Sequence, residues 1–294
     1  MSNQALMQTA TFISDPTIQL DRGLCVPGSE KIAGYHVFAT ARTVKALSEL
    51  VALGITTLPL DVTSDESVEA LKDAVSEITG GRLSVLINNA GQIIPPSPAT
   101  DMDISAAQRM FDTNVFGAMR MAKAFAPLLV EDGDARIVNV GSMAGTIPFP
   151  LESAYAASKA TVHSYSDALR VELAPLGVQV INLCSGGVAT DATKEKSPLM
   201  LAGNSLFKPF EREMQAAHDR ANNTNAMAPE LYAKEVFVHM SRLRPQSWMW
   251  IGTGSWVIWF FTTFFSRTFM DSWMAKRVGL PSESPSEFAP LKDD

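Results

Sequence analysis

Short apolar runs alternate along the chain with segments whose apolar residues recur every three or four positions. Tyr35–Ala41 reads as a strand, and Val44–Leu53 follows with helical spacing. Thr56–Leu60 is a second strand, ending at Asp61. Asp65 and Glu66 then open a helix that runs to Thr79 and stops at Gly80-Gly81, where glycine permits the left-handed turn that ends helices. Val85–Ile87 is an apolar strand, and a long helical stretch lies within Ala106–Leu129. Arg136–Val140 is a strand, Ser153–Leu173 a long helix and Val178–Leu183 a further strand. Beyond Gly186 the pattern loosens: residues 190–228 read as a mobile lid containing a charged helical piece, Phe210–Arg220, and Pro229–Met240 is another helix.

Apolar strands alternating with amphipathic helices predict an α/β chain, a doubly wound Rossmann-type parallel sheet covered on both faces. In such sheets ligands sit at the carboxyl ends of the strands. Arg42, Asp61, Asn88, Ser142 and Thr190 all lie at or just beyond a strand end.

The 294 residues suit one large domain, with an apolar fraction of 46% that excludes a disordered chain. The 24 basic and 31 acidic side chains give a net charge of −7 with no basic run, which argues against a nucleic-acid partner. Cys25 and Cys184 are too few for a disulfide framework or a cysteine zinc site, and a reducing compartment fits. The start, MSNQALMQTATFIS, lacks the basic and apolar regions of a secretory signal, so Asn222-Asn223-Thr224 reads as a polar turn rather than a glycosylation site. His36, His163, His218 and His239 show no metal-ligand spacing, and no metal is expected.

The chemistry concentrates in Ser142 and Tyr155-Ala-Ala-Ser-Lys159. Tyrosine and lysine four apart lie one turn from each other on a helix face. An ammonium beside a phenol favours the phenolate, so the spacing predicts a Tyr155 pKa falling toward working pH. Ser142, just past a strand, is placed to donate to a carbonyl oxygen, and Asn114 to anchor a water chain to the lysine. Asn88-Asn89-Ala90-Gly91, Asn114, Ser142 and the Tyr155/Lys159 pair, with Tyr155 thirteen residues after Ser142, resemble the short-chain dehydrogenase/reductase family over roughly Tyr35 to Met240. That resemblance implies Tyr155 as proton donor to a carbonyl, Ser142 polarising it, and Lys159 holding the nicotinamide ribose. Asn114 would complete a proton relay. It also implies assembly as a homo-oligomer.

After the second strand of the family's pattern, an acidic residue suits the ribose of NAD and an arginine the 2′-phosphate of NADP. This strand ends at Arg42 with no carboxylate before Glu49, which favours NADP(H). By resemblance Asp61 matches the adenine contact, Asn88 the adenosine-side loop, and Val188 and Thr190 the positions facing the carboxamide. Lys123 is a further cofactor candidate, equally readable as a solvated helix lysine. The family's Pro-Gly after the sixth strand is replaced by Ser185-Gly186-Gly187.

Pro245–Ser266 holds 22 residues without a charge, and all five tryptophans fall at or beyond Trp248. Length allows a tilted membrane span, yet Gly252, Thr253, Gly254 and Ser255 interrupt it. A monotopic anchor or re-entrant hairpin is the preferred reading, and a roof over the substrate pocket or a dimer contact is the alternative. The tail, Phe38–Arg42 and the Cys25-Val-Pro-Gly-Ser29 stretch resemble fungal acyl-dihydroxyacetone-phosphate reductases and related secondary-metabolite reductases. That likeness implies NADPH, a lipid-like or hydrophobic substrate, and a membrane surface at the endoplasmic reticulum or lipid droplet.

The amino-terminal region departs from the family's strand, TGxxxGxG loop and full helix. Its one candidate loop is Cys25-Val-Pro-Gly28-Ser29, and only six residues separate Gly28 from Tyr35. As a helix they span about 9 Å, whereas a parallel crossover needs about a dozen residues. The first βαβ unit therefore reads as truncated, either by a gene model that skips coding sequence or in the protein itself. In the second case a catalytically impaired, membrane-docked scaffold is the alternative function. The expected organisation is an atypical remnant over 1–34, a Rossmann-type domain over 35–244, and an aromatic membrane-associating segment with a disordered tail over 245–294.

Overall fold

The structure is a computed structural model that describes residues 11–14, 36–189, 197–221 and 226–281. Seven strands form one sheet: β1 (Thr11–Ser14), β2 (His36–Ala41), β3 (Thr56–Pro59), β4 (Val85–Asn88), β5 (Arg136–Val140), β6 (Gln179–Ser185) and β7 (Trp248–Ile251). Their order is β3-β2-β1-β4-β5-β6-β7. The helices are α1 (Ser48–Val51), α2 (Asp65–Thr79), α3 (Ile104–Phe111), α4 (Ala118–Asp132), α5 (Ser153–Leu173), α6 (Glu211–Ala221), α7 (Pro229–Met240), α8 (Ser255–Phe264) and α9 (Asp271–Arg277).

Alternation along the strands builds the two apolar layers. Phe38, Leu86 and Ile137 face one side, under Phe125 and Leu129 of α4 and Val68 and Val75 of α2. Val37, Ala39, Val85, Val138 and Ile181 face the other, under Val236, Phe237 and Met240 of α7. Local signals set the helix limits. The Ser64 hydroxyl accepts from Ser67 N at the start of α2, Asp65 and Glu66 lie in its first turn, and Gly80 ends it at φ 66°.

Three expectations change. The Rossmann-type α/β sheet is as expected except that it is not wholly parallel: β1, third in the order, runs antiparallel to both β2 and β4, while the other neighbouring pairs are parallel. An antiparallel strand completes the ladders of β2 and β4 without the crossover helix that a parallel one needs. The long helix expected within 106–129 is interrupted by a π-helical stretch, Asp112–Gly117, that separates α3 from α4.

The boundary drawn after residue 244 also falls inside the sheet. Trp248–Ile251 pairs in parallel with β6 as its edge strand, because WMWI is as good a buried strand as it is an anchor. The charge-free run is thus a strand, a glycine turn and the ten-residue α8. Among the described residues no helix is long and apolar enough to cross a membrane. Ile258, Met270 and Met274 turn inward onto Met143, Ile147, Phe149 and Trp250, roofing the loop after β5. The opposite face leaves Trp256, Trp259, Phe264, Phe269 and Trp273 exposed.

Candidate active site

The end of β5, the start of α5 and the π-helical stretch meet at one point. Ser142 follows β5 and caps a 3-10 turn, its Oγ accepting from Ala144 N at 3.2 Å. Tyr155 and Lys159 lie one turn apart on α5, with Nζ 5.9 Å from the centre of the phenol ring. Lys159 is 5% exposed and donates to the Val140 carbonyl at 2.7 Å. The Asn114 side chain clamps the loop after β4: Oδ1 accepts from Gln92 N at 2.6 Å, and Nδ2 donates to Gln92 O and to Ser158 Oγ, each at 3.0 Å. The π-helical widening carries Asn114 into that position. Gly91 sits between them, since a Cβ there would lie 3.6 Å from Asn114 Oδ1 and 3.7 Å from Lys159 Nζ. Ser142, Asn114, Tyr155 and Lys159 thus converge.

Electrostatics corrects the expected phenol. Burial pushes Tyr155 up to about 12, only partly offset by its hydrogen bond with the Ser142 hydroxyl. Burial also pushes Lys159 down to about 8. Both charged forms lose solvation in this crevice, and at 5.9 Å the ammonium does not outweigh that loss for the phenol. Tyr155 keeps its proton at neutral pH, the form a proton donor requires.

The cofactor candidates divide. Arg42 is exposed directly after β2. Asp61 is locked within its own turn, accepting from Thr63 N at 2.9 Å and Thr63 Oγ1 at 2.7 Å. Asn88 turns into the sheet and donates to Asn139 Oδ1 at 2.8 Å, bracing the strands beneath the site. Lys123 is exposed on α4. Val188 bridges Met227 in the loop beyond β6. Thr190 and the Cys25–Ser29 loop lie outside the described residues. The nicotinamide-ribose end suits a dinucleotide. A buried ammonium has three N–H donors, and Lys159 shows one acceptor among the described residues, leaving donors for ribose hydroxyls.

Sequence reasoning missed two neighbours. Burial pushes Glu152, at the start of α5, up to about 7, and its charge acts on Tyr155. Tyr232 of α7 shares a hydrogen bond with Ser185, the residue that replaces the family's proline. That replacement was the available signal; Glu152 gave none, because its burial is a tertiary effect.

The chain matches the family model described as short chain dehydrogenase over residues 30–200. It is 40% identical to the short-chain dehydrogenase srdE of Neurospora crassa over 259 residues, 88% of each chain. It is also 40% identical to the NADPH-dependent 1-acyldihydroxyacetone phosphate reductase of Schizosaccharomyces pombe, over 183 residues and 61% of each chain. Among solved structures it superposes on a short-chain dehydrogenase from Streptomyces avermitilis with a TM-score of 0.68 at 24% identity, covering 80% of this chain and 85% of that one.

Proposed function

We propose that this chain, which belongs to the short-chain dehydrogenase/reductase family, uses NADPH to reduce a carbonyl on a hydrophobic, lipid-like substrate. The observation that carries the reading is the convergence of a protonated Tyr155, Ser142, Lys159 and Asn114 on one crevice. When bound, NADPH would supply a hydride for the carbonyl carbon. Ser142 and Tyr155 hydrogen-bond the carbonyl oxygen, and Tyr155 gives up its phenolic proton to it. Lys159 steadies the phenolate left behind and holds the ribose. Asn114 fixes the backbone at Gln92 and anchors the water chain that returns a proton. Arg42, exposed after β2, would hold the 2′-phosphate of the bound cofactor.

The pH dependence has a definite sign. As pH rises through about 7, Glu152 ionises and sets a negative charge near the phenol. Through about 8 Lys159 loses its positive charge. Both changes disfavour the phenolate, so kcat for reduction is expected to fall between about pH 7 and 9. Glu152→Gln should remove the lower limb and keep the one near 8. A flat profile over that range contradicts the assignment.

Apolar surface supports a hydrophobic substrate. Met200 and Leu206 are exposed on the segment that Met200 N ties to the Pro96 carbonyl, beside the loop after β4. The exposed aromatic face of α8 and α9 suits a membrane surface, with the endoplasmic reticulum or lipid droplet as its place, and docking there would deliver such substrates. One relative is named an NADPH-dependent 1-acyldihydroxyacetone phosphate reductase, which fits a lipid-like ketone, and a secondary-metabolite ketone, implied by the resemblance of the tail, is the second substrate class within this reading. Reduction of a long-chain ketone should be faster from phosphatidylserine vesicles than from detergent. The triple variant Trp256→Ser, Trp259→Ser, Phe264→Ser should lose that gain and no longer float with the vesicles. Equal flotation of both proteins would remove the membrane role.

A further inference from the structure

The helix that carries Tyr155 and Lys159 places a third polar side chain on the same face one turn further on, that of His163, a residue only 4% exposed. The ring occupies a notch between the two glycines that bracket Ser142. A Cβ at Gly141 would lie 2.2 Å from His163 Cε1, and one at Gly145 would lie 2.8 Å from Cδ2. Trp248 of β7 closes the notch, its ring 4.9 Å from the imidazole and its Nε1–H bonded to Asp167 Oδ1 at 3.0 Å.

The imidazole reaches the Ser142 carbonyl through Nε2 at 2.8 Å and the Asn182 side-chain oxygen through Nδ1 at 2.8 Å. Two acceptors cannot both be served by a neutral ring. Asn182 Nδ2 is meanwhile buried with no partner among the described residues. Turning the Asn182 amide over resolves the conflict at the ring and removes the orphaned N–H donor, placing the amide oxygen there instead, since side-chain amide orientation follows the hydrogen-bond network. Asn182 then donates to Nδ1, and Nε2–H donates to the Ser142 carbonyl. Burial, which holds the His163 pKa below its ordinary value, agrees with a neutral ring. The same carbonyl accepts from Gly145 N at 3.0 Å, so both its lone pairs are engaged.

We propose that His163 is a positioning residue: its Nε2–H fixes the Ser142 carbonyl and so aims the Ser142 hydroxyl at the substrate oxygen beside Tyr155. The proposal rests on the reading of Ser142 and Tyr155 given above. Asn182 and Trp248 are register partners of neighbouring strands, so the ring is held from a rigid sheet rather than from a loop.

The test uses the full chain and the variants His163→Leu and His163→Gln. Gln can donate to the same carbonyl and accept from Asn182, whereas Leu can do neither. With NADPH and a long-chain methyl ketone, Leu is expected to lower kcat about tenfold to a hundredfold, the scale of a small misplacement of a reacting group. KM should stay within about threefold, and Gln should restore kcat to within about threefold of wild type. Nitrogen-15 spectra of labelled histidine should show His163 neutral and protonated on Nε2. Hydrogen exchange at the Gly145 amide should accelerate in the Leu variant and not in the Gln variant. A ring protonated on Nδ1, equal kinetic losses in both variants, or unchanged Gly145 exchange in the Leu variant would overturn the proposal. A wild-type chain that leaves ketones unreduced counts against the reductase reading, and the tautomer and Gly145 exchange then still decide the role of His163.

Discussion

Tyr155→Phe is expected to cut ketone reduction about 10²- to 10⁴-fold, the range for losing a positioned general acid. The phenol carries its proton at neutral pH because burial pushes it up to about 12, and Phe deletes that proton while keeping the ring. The packing cost is small, because the ring rests in the cluster of Ala107, Met110 and Ala154, contacts that Phe retains. NADPH affinity should change by less than about threefold, since Lys159 keeps its anchor on Val140. Steady-state kinetics with a circular dichroism spectrum on the same preparation checks both halves. A variant within threefold of wild type would leave the proton to another group, and Tyr232, bonded to Ser185 nearby, would be the first to examine.

The site was more legible in the sequence than its energetics. Ser142, Tyr155 and Lys159 are set by one strand end and one helix turn, so their meeting follows from spacing that a single chain displays. Their proton affinities do not, because desolvation depends on what α3, the π-helical stretch and the loop after β5 close over them. The direction expected for Tyr155 was therefore reversed. His163 was legible only as a histidine without metal spacing, since its notch is cut by glycines some twenty residues away on another element.

In the fold, α2 announced itself through Asp65, Glu66 and Gly80-Gly81, and the Ser64 cap fits the same start. The strand β7 did not, because a short unbroken apolar run carries no period to separate an edge strand from an anchor. The antiparallel sense of β1 was equally hidden, as strand direction is a property of the pairing and not of Thr11–Ser14 themselves.

That reversed strand leads to the second large expectation: the chain with its present sequence should bind NADPH about 10²- to 10⁴-fold more weakly than one with the family's complete first βαβ unit. In the family pattern the first strand leaves the sheet at its carboxyl edge into a glycine loop and helix, whose amides face the pyrophosphate. Here Thr11 pairs with Ala39 and Ile87, and Ser14 with His36, so β1 enters from that edge and leaves at the opposite one. The strand therefore does not lead into the cradle. Two lost amide bonds to a charged group, at about 1.5–3 kcal/mol each, account for the range. Lys159 and Arg42 keep the two ends of the dinucleotide, so the residual binding should still prefer NADPH to NADH, and Arg42→Ala should remove about a tenfold preference. The comparison is a titration of NADPH into this chain and into a chimera whose residues 1–34 are replaced by the matching segment of the Neurospora crassa relative. Tightening in the chimera by a hundredfold, with Tyr155-dependent turnover at low NADPH rising alongside, would identify the amino-terminal segment as what limits an otherwise complete site. It would also set aside the impaired scaffold as anything more than a property of that segment. Micromolar binding by the unaltered chain, equal to that of the chimera, would mean that the pyrophosphate is held without the family's glycine turn.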